Sequence, residues 1–245
     1  MHEVIVTHFP ILILIGRPAS GKSELIDYLA HCDPVERLRR FHIAQMEVLD
    51  DFPMLWTWFE EDHLLSHQLG QPRLHTDEQG YFLHEYQWHL LIERLDLEYH
   101  KRVRDPASAE NNTAIIEYSR GSQHGGYAQA FQHLSEDVLS RSAVVYVHVS
   151  FEESLRKNRR RFNPDRPDSI LEHSLPDAKL ERLYRYEDWE DLTHSDAHFL
   201  TVRGLRVPFA VFENEDDVTT GKPVKLAARL EQVLDGLYQR STSFI

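Results

Sequence analysis

Cysteine is almost absent from this chain, and its single thiol, Cys32, excludes an internal disulfide and a cysteine-rich zinc site. No apolar run approaches the ~20 residues that span a bilayer. The apolar N-terminal stretch lacks the basic lead and the cleavage site of a secretory signal. A cytoplasmic protein with no membrane partner is expected. Basic charge is also in short supply. The formal net charge of −13 disfavours the broad basic surface that nucleic acid requires. Neither an internal repeat nor a low-complexity tract is present. What remains is 245 residues, 41% of them hydrophobic. That is enough for one α/β domain with an insertion and too little for two comfortable ones.

Against this background one stretch stands out. The apolar run 11–15 has the β-branched bias of a strand buried on both faces. It leads directly into Gly16-Arg17-Pro18-Ala19-Ser20-Gly21-Lys22-Ser23, which satisfies G-x-x-x-x-G-K-[ST] at every fixed position. Gly16 and Gly21 allow a turn whose backbone N–H groups face inward with no side chain in the way. Lys22 brings an ammonium to the β- and γ-phosphates, and the Ser23 hydroxyl can ligate Mg²⁺. From Glu24 the chain continues as a helix whose N-terminus adds its dipole to the cradle. The pattern predicts that residues 16–24 bind ATP with Mg²⁺.

Further strands are expected over 41–49, 113–118, 143–149 and 207–213, and helices over 52–69, 81–103, 123–141, 151–162, 177–192 and 224–238. Strands separated by helices make a parallel sheet covered on both faces. Ligands of such sheets sit at the carboxyl ends of the strands. That rule selects Asp50-Asp51, the segment 117–121 and the turn 214–217. A base-reading N-K-x-D is missing, and Asp77-Glu78-Gln79-Gly80 has no strand before it, so a switch GTPase is rejected.

In element order the chain resembles the P-loop small-molecule kinases: nucleoside, nucleoside monophosphate and shikimate kinases. The resemblance implies a three-layer α/β/α fold, with a five-stranded parallel sheet in the order 2-3-1-4-5. It implies a single domain over 1–245, in which 52–103 forms a helical acceptor-binding insertion and 156–176 a lid. It further implies a base-acting carboxylate at Asp50 or Asp51, although Asp at that place also caps a helix. Glu117 is implied as a Mg²⁺ ligand beside Ser23, and Arg120 as a phosphate or acceptor clamp. Tyr118 and Ser119 separate those two more widely than in the family, and a plain salt bridge is the alternative. Arg156 and Arg160, four apart on one helix face within a dense basic segment, are implied to close over the γ-phosphate, although such charge runs also form solvated faces. Asn214 is implied at the adenine site, although an acidic turn leading into the last helix accounts for 214–217 equally well. Gln87 amid Tyr81, Tyr86 and Trp88 is implied as a base reader, the alternative being that these aromatics belong to the core.

The expected activity is transfer of the γ-phosphoryl of ATP to a small hydroxyl acceptor, nucleoside-like. Arginine is scarce in exposed parts of the insertion, with only Arg73 in a loop, and this favours an uncharged acceptor over a nucleoside monophosphate. A nucleotide-responsive binding protein without phosphate transfer is the alternative from another class. His63 with His67, and His194 with His198, have metal-ligand spacing but no third ligand at a telling interval. Oligomeric state is left open.

Overall fold

Ile11–Ile15 (β1) is buried at every position in the computed structural model, which describes residues 8–102, 111–161 and 175–242. A strand acquires continuous burial between two parallel neighbours with helices on both faces. Those neighbours are Asn112–Tyr118 (β3) and Ser142–His148 (β4), both parallel to β1. Gln45–Asp50 (β2) pairs outside β3, and Leu205–Glu213 (β6) outside β4. Five parallel strands therefore follow the expected order. A sixth, Phe199–Val202 (β5), completes the sheet as β2-β3-β1-β4-β6-β5.

This edge strand is the first departure from expectation. It runs antiparallel to β6, with Val202 paired to Leu205. Only Arg203 and Gly204 lie in the turn, at φ 49° and 83°. Positive φ at both central residues is the hairpin geometry whose twist matches the flanking strands.

The pleat sorts β1 into two cores. Ile11, Ile13 and Ile15 pack with Ile92 and Leu95 of the helix Tyr86–Arg102 (α4), and with Tyr127 and Phe131 of the helix Gly126–Gln132 (α5). Leu12 and Leu14 pack with Leu25 and Leu29 of Lys22–His31 (α1). On that face they also meet Leu226, Leu230, Leu234 and Leu237 of the final helix, Pro223–Thr242, at helical spacing. The result is a three-layer α/β/α domain.

Other boundaries move for local reasons. The strand expected over 41–49 begins only at Gln45. Phe41 instead closes a helix over residues 34–41 (α2), because the Asp33 carboxylate accepts the backbone N–H groups of Val35 and Glu36 and Pro34 sits at N1. Asp50 caps the helix Asp51–His67 (α3) by accepting the Phe52 N–H. The expected helix over 123–141 is broken into α5 and Glu136–Ser140 (α6). Gly125 and Gly126 take positive φ there, and a Cβ on Gly126 would lie 2.3 Å from the Asp188 carboxylate, which accepts the Tyr127 and Ala128 N–H groups. Phe151–Arg161 (α7) is as expected, whereas 177–192 divides into Asp177–Tyr184 (α8) and Trp189–Thr193 (α9). The lid expected over 156–176 falls largely on 162–174, outside the described residues, as does residue 103 of the insertion. No helix among the described residues is long and apolar enough to cross a membrane.

Candidate active site

The loop after β1 adopts a strained path that only its sequence permits. Gly16, Ala19 and Gly21 have φ of 153°, 57° and 115°. A Cβ on Gly16 would sit 2.5 Å from the Val147 carbonyl oxygen, and one on Gly21 2.5 Å from Asn214 Nδ2. Gly21 gives α1 no side-chain cap, so the first-turn N–H groups remain for a ligand. Pro18 to Glu24 line a cleft of about 780 Å³. Ser20 Oγ is buried without a hydrogen-bond partner among the described residues. An open amide cradle with an orphaned hydroxyl fits a phosphate chain.

Lys22 is buried with its ammonium inside this loop. Nζ donates to the Gly16 and Arg17 carbonyls, each at 3.1 Å, and to Ser119 Oγ at 2.8 Å. Glu117 Oε1 is 3.9 Å away. Burial holds the Lys22 pKa below its ordinary value, against the pull of Glu117. The carboxylates opposite move the other way. Asp50 and Glu117 are register partners on β2 and β3. Asp50 is pushed up to about 7 by burial and by the Glu117 and Asp51 charges. Glu117, which accepts from Ser23 Oγ at 3.3 Å, is raised chiefly by burial. No group of three His, Cys, Asp or Glu side chains among the described residues could hold a metal alone. Ser23 and Glu117, hydrogen-bonded to each other, are the residues that would hold a Mg²⁺ ion, which takes few protein carboxylates.

Asp51 behaves differently from its neighbour. Its Oδ2 accepts from Arg120 Nη1 at 2.7 Å, with both side chains almost fully buried. Arg120 also donates to the Ser119 and Trp88 carbonyls, and its guanidinium carbon lies 5.3 Å from the Trp88 ring centroid. Trp88 stacks in turn on His124 at 3.8 Å. Beyond this point the cleft is walled by Phe52, Trp56, Phe59, Tyr81 and Phe82 from the insertion. Of the aromatics around Gln87, Tyr81 and Trp88 line the cleft, whereas Tyr86 is exposed.

Several expected site residues lie elsewhere. Arg17 is turned out of the cleft: it donates to the Val149 and Tyr184 carbonyls and pairs with Glu187 at 2.5 Å. Asn214 has no capacity left to read adenine. Its amide donates to the Ser20 carbonyl and Thr219 Oγ1 and accepts from the Val218 and Thr219 N–H groups, so it braces the loop from behind. Arg156 and Arg160 are held by Asp217 at 3.1 and 3.0 Å, outside the cleft lining, whereas Arg161 lines it, 3.8 Å from Glu24. Gln87 accepts the His84 N–H and does not line the cleft. Sequence reasoning missed Lys179 and Arg182 of α8, which do. They lie about 100 residues from the insertion they face, and no spacing rule connects them.

The strand order, the glycine loop ahead of α1 and the acids at the carboxyl ends of β2 and β3 together define the fold of P-loop nucleotide-binding proteins. No known family's profile matches the chain, and no curated protein matches it. Among solved structures it is similar to Kti12 of Chaetomium thermophilum in complex with ADP-AlF3. That likeness has a TM-score of 0.49 and 17% identity over 94% of this chain and 98% of that one. It is also similar to APE1195, with a TM-score of 0.40 and 17% identity over 95% and 99% of the two chains. A sugar kinase from Janibacter sp. HTCC2649 gives 0.39 and 12% over 92% and 94%. At such distances the reading of the site rests on this chain's own geometry.

Proposed function

We propose that this protein is an ATP- and Mg²⁺-dependent phosphotransferase whose acceptor is a small hydroxyl compound carrying a ring. The observation that supports this most is contiguity. The amide cradle, the acids and the aromatic chamber are walls of one cleft, in the size range of small-ligand sites. Bound Mg²⁺·ATP supplies the electrophilic phosphoryl group. Lys22 and the loop N–H groups hold phosphate oxygens, while Ser23 and Glu117 hold the metal ion. Asp50 takes the proton of the attacking hydroxyl, since its Oδ2 accepts no hydrogen bond among the described residues while Asp51 is engaged by Arg120. Arg120 positions Asp51 and the Trp88 wall, and Arg161 takes the phosphate contact first expected of Arg156 and Arg160. The aromatic walls shield the site from water, which would otherwise hydrolyse ATP.

A screen of nucleosides, nucleotides and sugars for acceptor-stimulated ADP release tests the proposal. ADP formed in step with one added acceptor is the expected result. Slow hydrolysis indifferent to every acceptor would overturn phosphate transfer and leave a nucleotide-responsive switch.

A further inference from the structure

Scarcity of cations in the insertion points to an uncharged acceptor, yet the opposite wall of the cleft supplies charge. Lys179 and Arg182, about one turn apart on α8, converge on the Tyr81 ring. The Lys179 ammonium lies 5.1 Å and the Arg182 guanidinium carbon 4.1 Å from its centroid. The two charges are therefore at most about 9 Å apart, near one Debye length in physiological salt. Lys179 Nζ is also 5.7 Å from the Phe59 centroid. A Cβ on Gly80 would lie 2.6 Å from that ammonium, so it packs against the loop backbone.

Neither side chain has a hydrogen bond or ion pair among the described residues. Their neighbours do: Arg73 donates to Thr76, Arg161 stands near Glu24 and Arg185 pairs with Glu181. Asp77, the acid whose charge acts on Lys179, accepts the Tyr81 N–H at 2.8 Å. Ring faces offset part of a cation's charge, but two like charges on one ring repel, and burial further disfavours the charged Lys179. An oxyanion bridging the pair would relieve both penalties.

We propose that Tyr81, Lys179 and Arg182 form an anion subsite at the acceptor end of the cleft, and that the acceptor carries a phosphomonoester as well as the attacked hydroxyl. The second half rests on the phosphotransfer reading; the subsite itself does not.

Inorganic phosphate titrated into the full chain tests it, by calorimetry, with the loop filled by Mg²⁺·adenylyl imidodiphosphate and again without nucleotide. With the loop filled, the wild type is expected to bind one phosphate saturably. K179Q/R182Q should bind it at least about tenfold more weakly, with nucleotide affinity and unfolding midpoint unchanged, and acetate should be similarly weak on the wild type. Equal phosphate affinity in the two proteins, no saturable binding with the loop filled, or acetate binding as well as phosphate would overturn the subsite as described. If the nucleotide itself fails to bind, the phosphotransfer reading falls instead. The nucleotide-free titrations then still decide the subsite, which stands if the double variant loses a phosphate site and falls if it loses none.

Discussion

Asp50 and Asp51 are adjacent in sequence, and the structure predicts opposite consequences of neutralising them. Asp51→Asn would leave the Arg120 guanidinium buried without its counter-charge, since the 2.7 Å pair is shielded on both sides. Removing one partner of such a pair costs about 3–5 kcal/mol. For a chain of this length that is a fall of about 10 °C in unfolding temperature. Asp50→Asn removes a carboxylate that burial and the Glu117 charge already disfavour, and asparagine caps a helix as well as aspartate. Its stability should stay within about 1 kcal/mol of the wild type or rise. Acceptor-dependent turnover should nevertheless fall about 10²–10⁴-fold, as for loss of a general base. Urea denaturation followed by tryptophan fluorescence, beside a coupled ADP assay, reads both effects. The reasoning is refuted if Asp51→Asn is as stable as the wild type and inactive while Asp50→Asn still turns over.

Two further perturbations follow from buried polar groups. His124 is almost fully buried and its pKa is lowered to about 3 by burial and the nearby Arg120. The unfolded state therefore takes up this proton first, and the histidine's contribution to stability is lost as pH falls from about 6.5 towards 3. Between pH 7 and pH 5 the wild type should lose about 2 kcal/mol more than H124F, which keeps the ring on Trp88; parallel losses in urea titrations at the two pH values would contradict this. Asn214→Ala strips partners from the buried Ser20 carbonyl and the Val218 and Thr219 N–H groups. It should cost about 2–4 kcal/mol and weaken nucleotide binding, as thermal unfolding with and without Mg²⁺·ATP will reveal; an unchanged midpoint would mean that the loop needs no brace.

Much of the fold was legible because its signals are local. The run 11–15 and the eight residues after it carry their chemistry in fixed spacing, and the acids at 50–51 and 117 fall where a parallel sheet must present them. The helix 34–41 carries a start signal in Asp33-Pro34 with Glu36, but Phe41 is ambiguous, because a buried aromatic closes an amphipathic helix as readily as it opens a strand. The Arg203-Gly204 hairpin left a weaker trace, as arginine seldom takes positive φ. Long-range partnerships were not legible. Nothing local tells Arg120 to choose Asp51 over Glu117, turns Arg17 towards Glu187, or aims α8 at Tyr81. Asn214 stands out in sequence by its place after a strand, but its role follows from four hydrogen bonds that only the folded loop supplies.

Binding of Mg²⁺·ATP to the wild type and to Lys22→Ala, measured by calorimetry, is the most direct test of the central claim. One saturable site is predicted for the wild type, weakened when Mg²⁺ is chelated and at least about tenfold weaker in the variant. No saturable binding, or equal binding by the two proteins, would contradict the account.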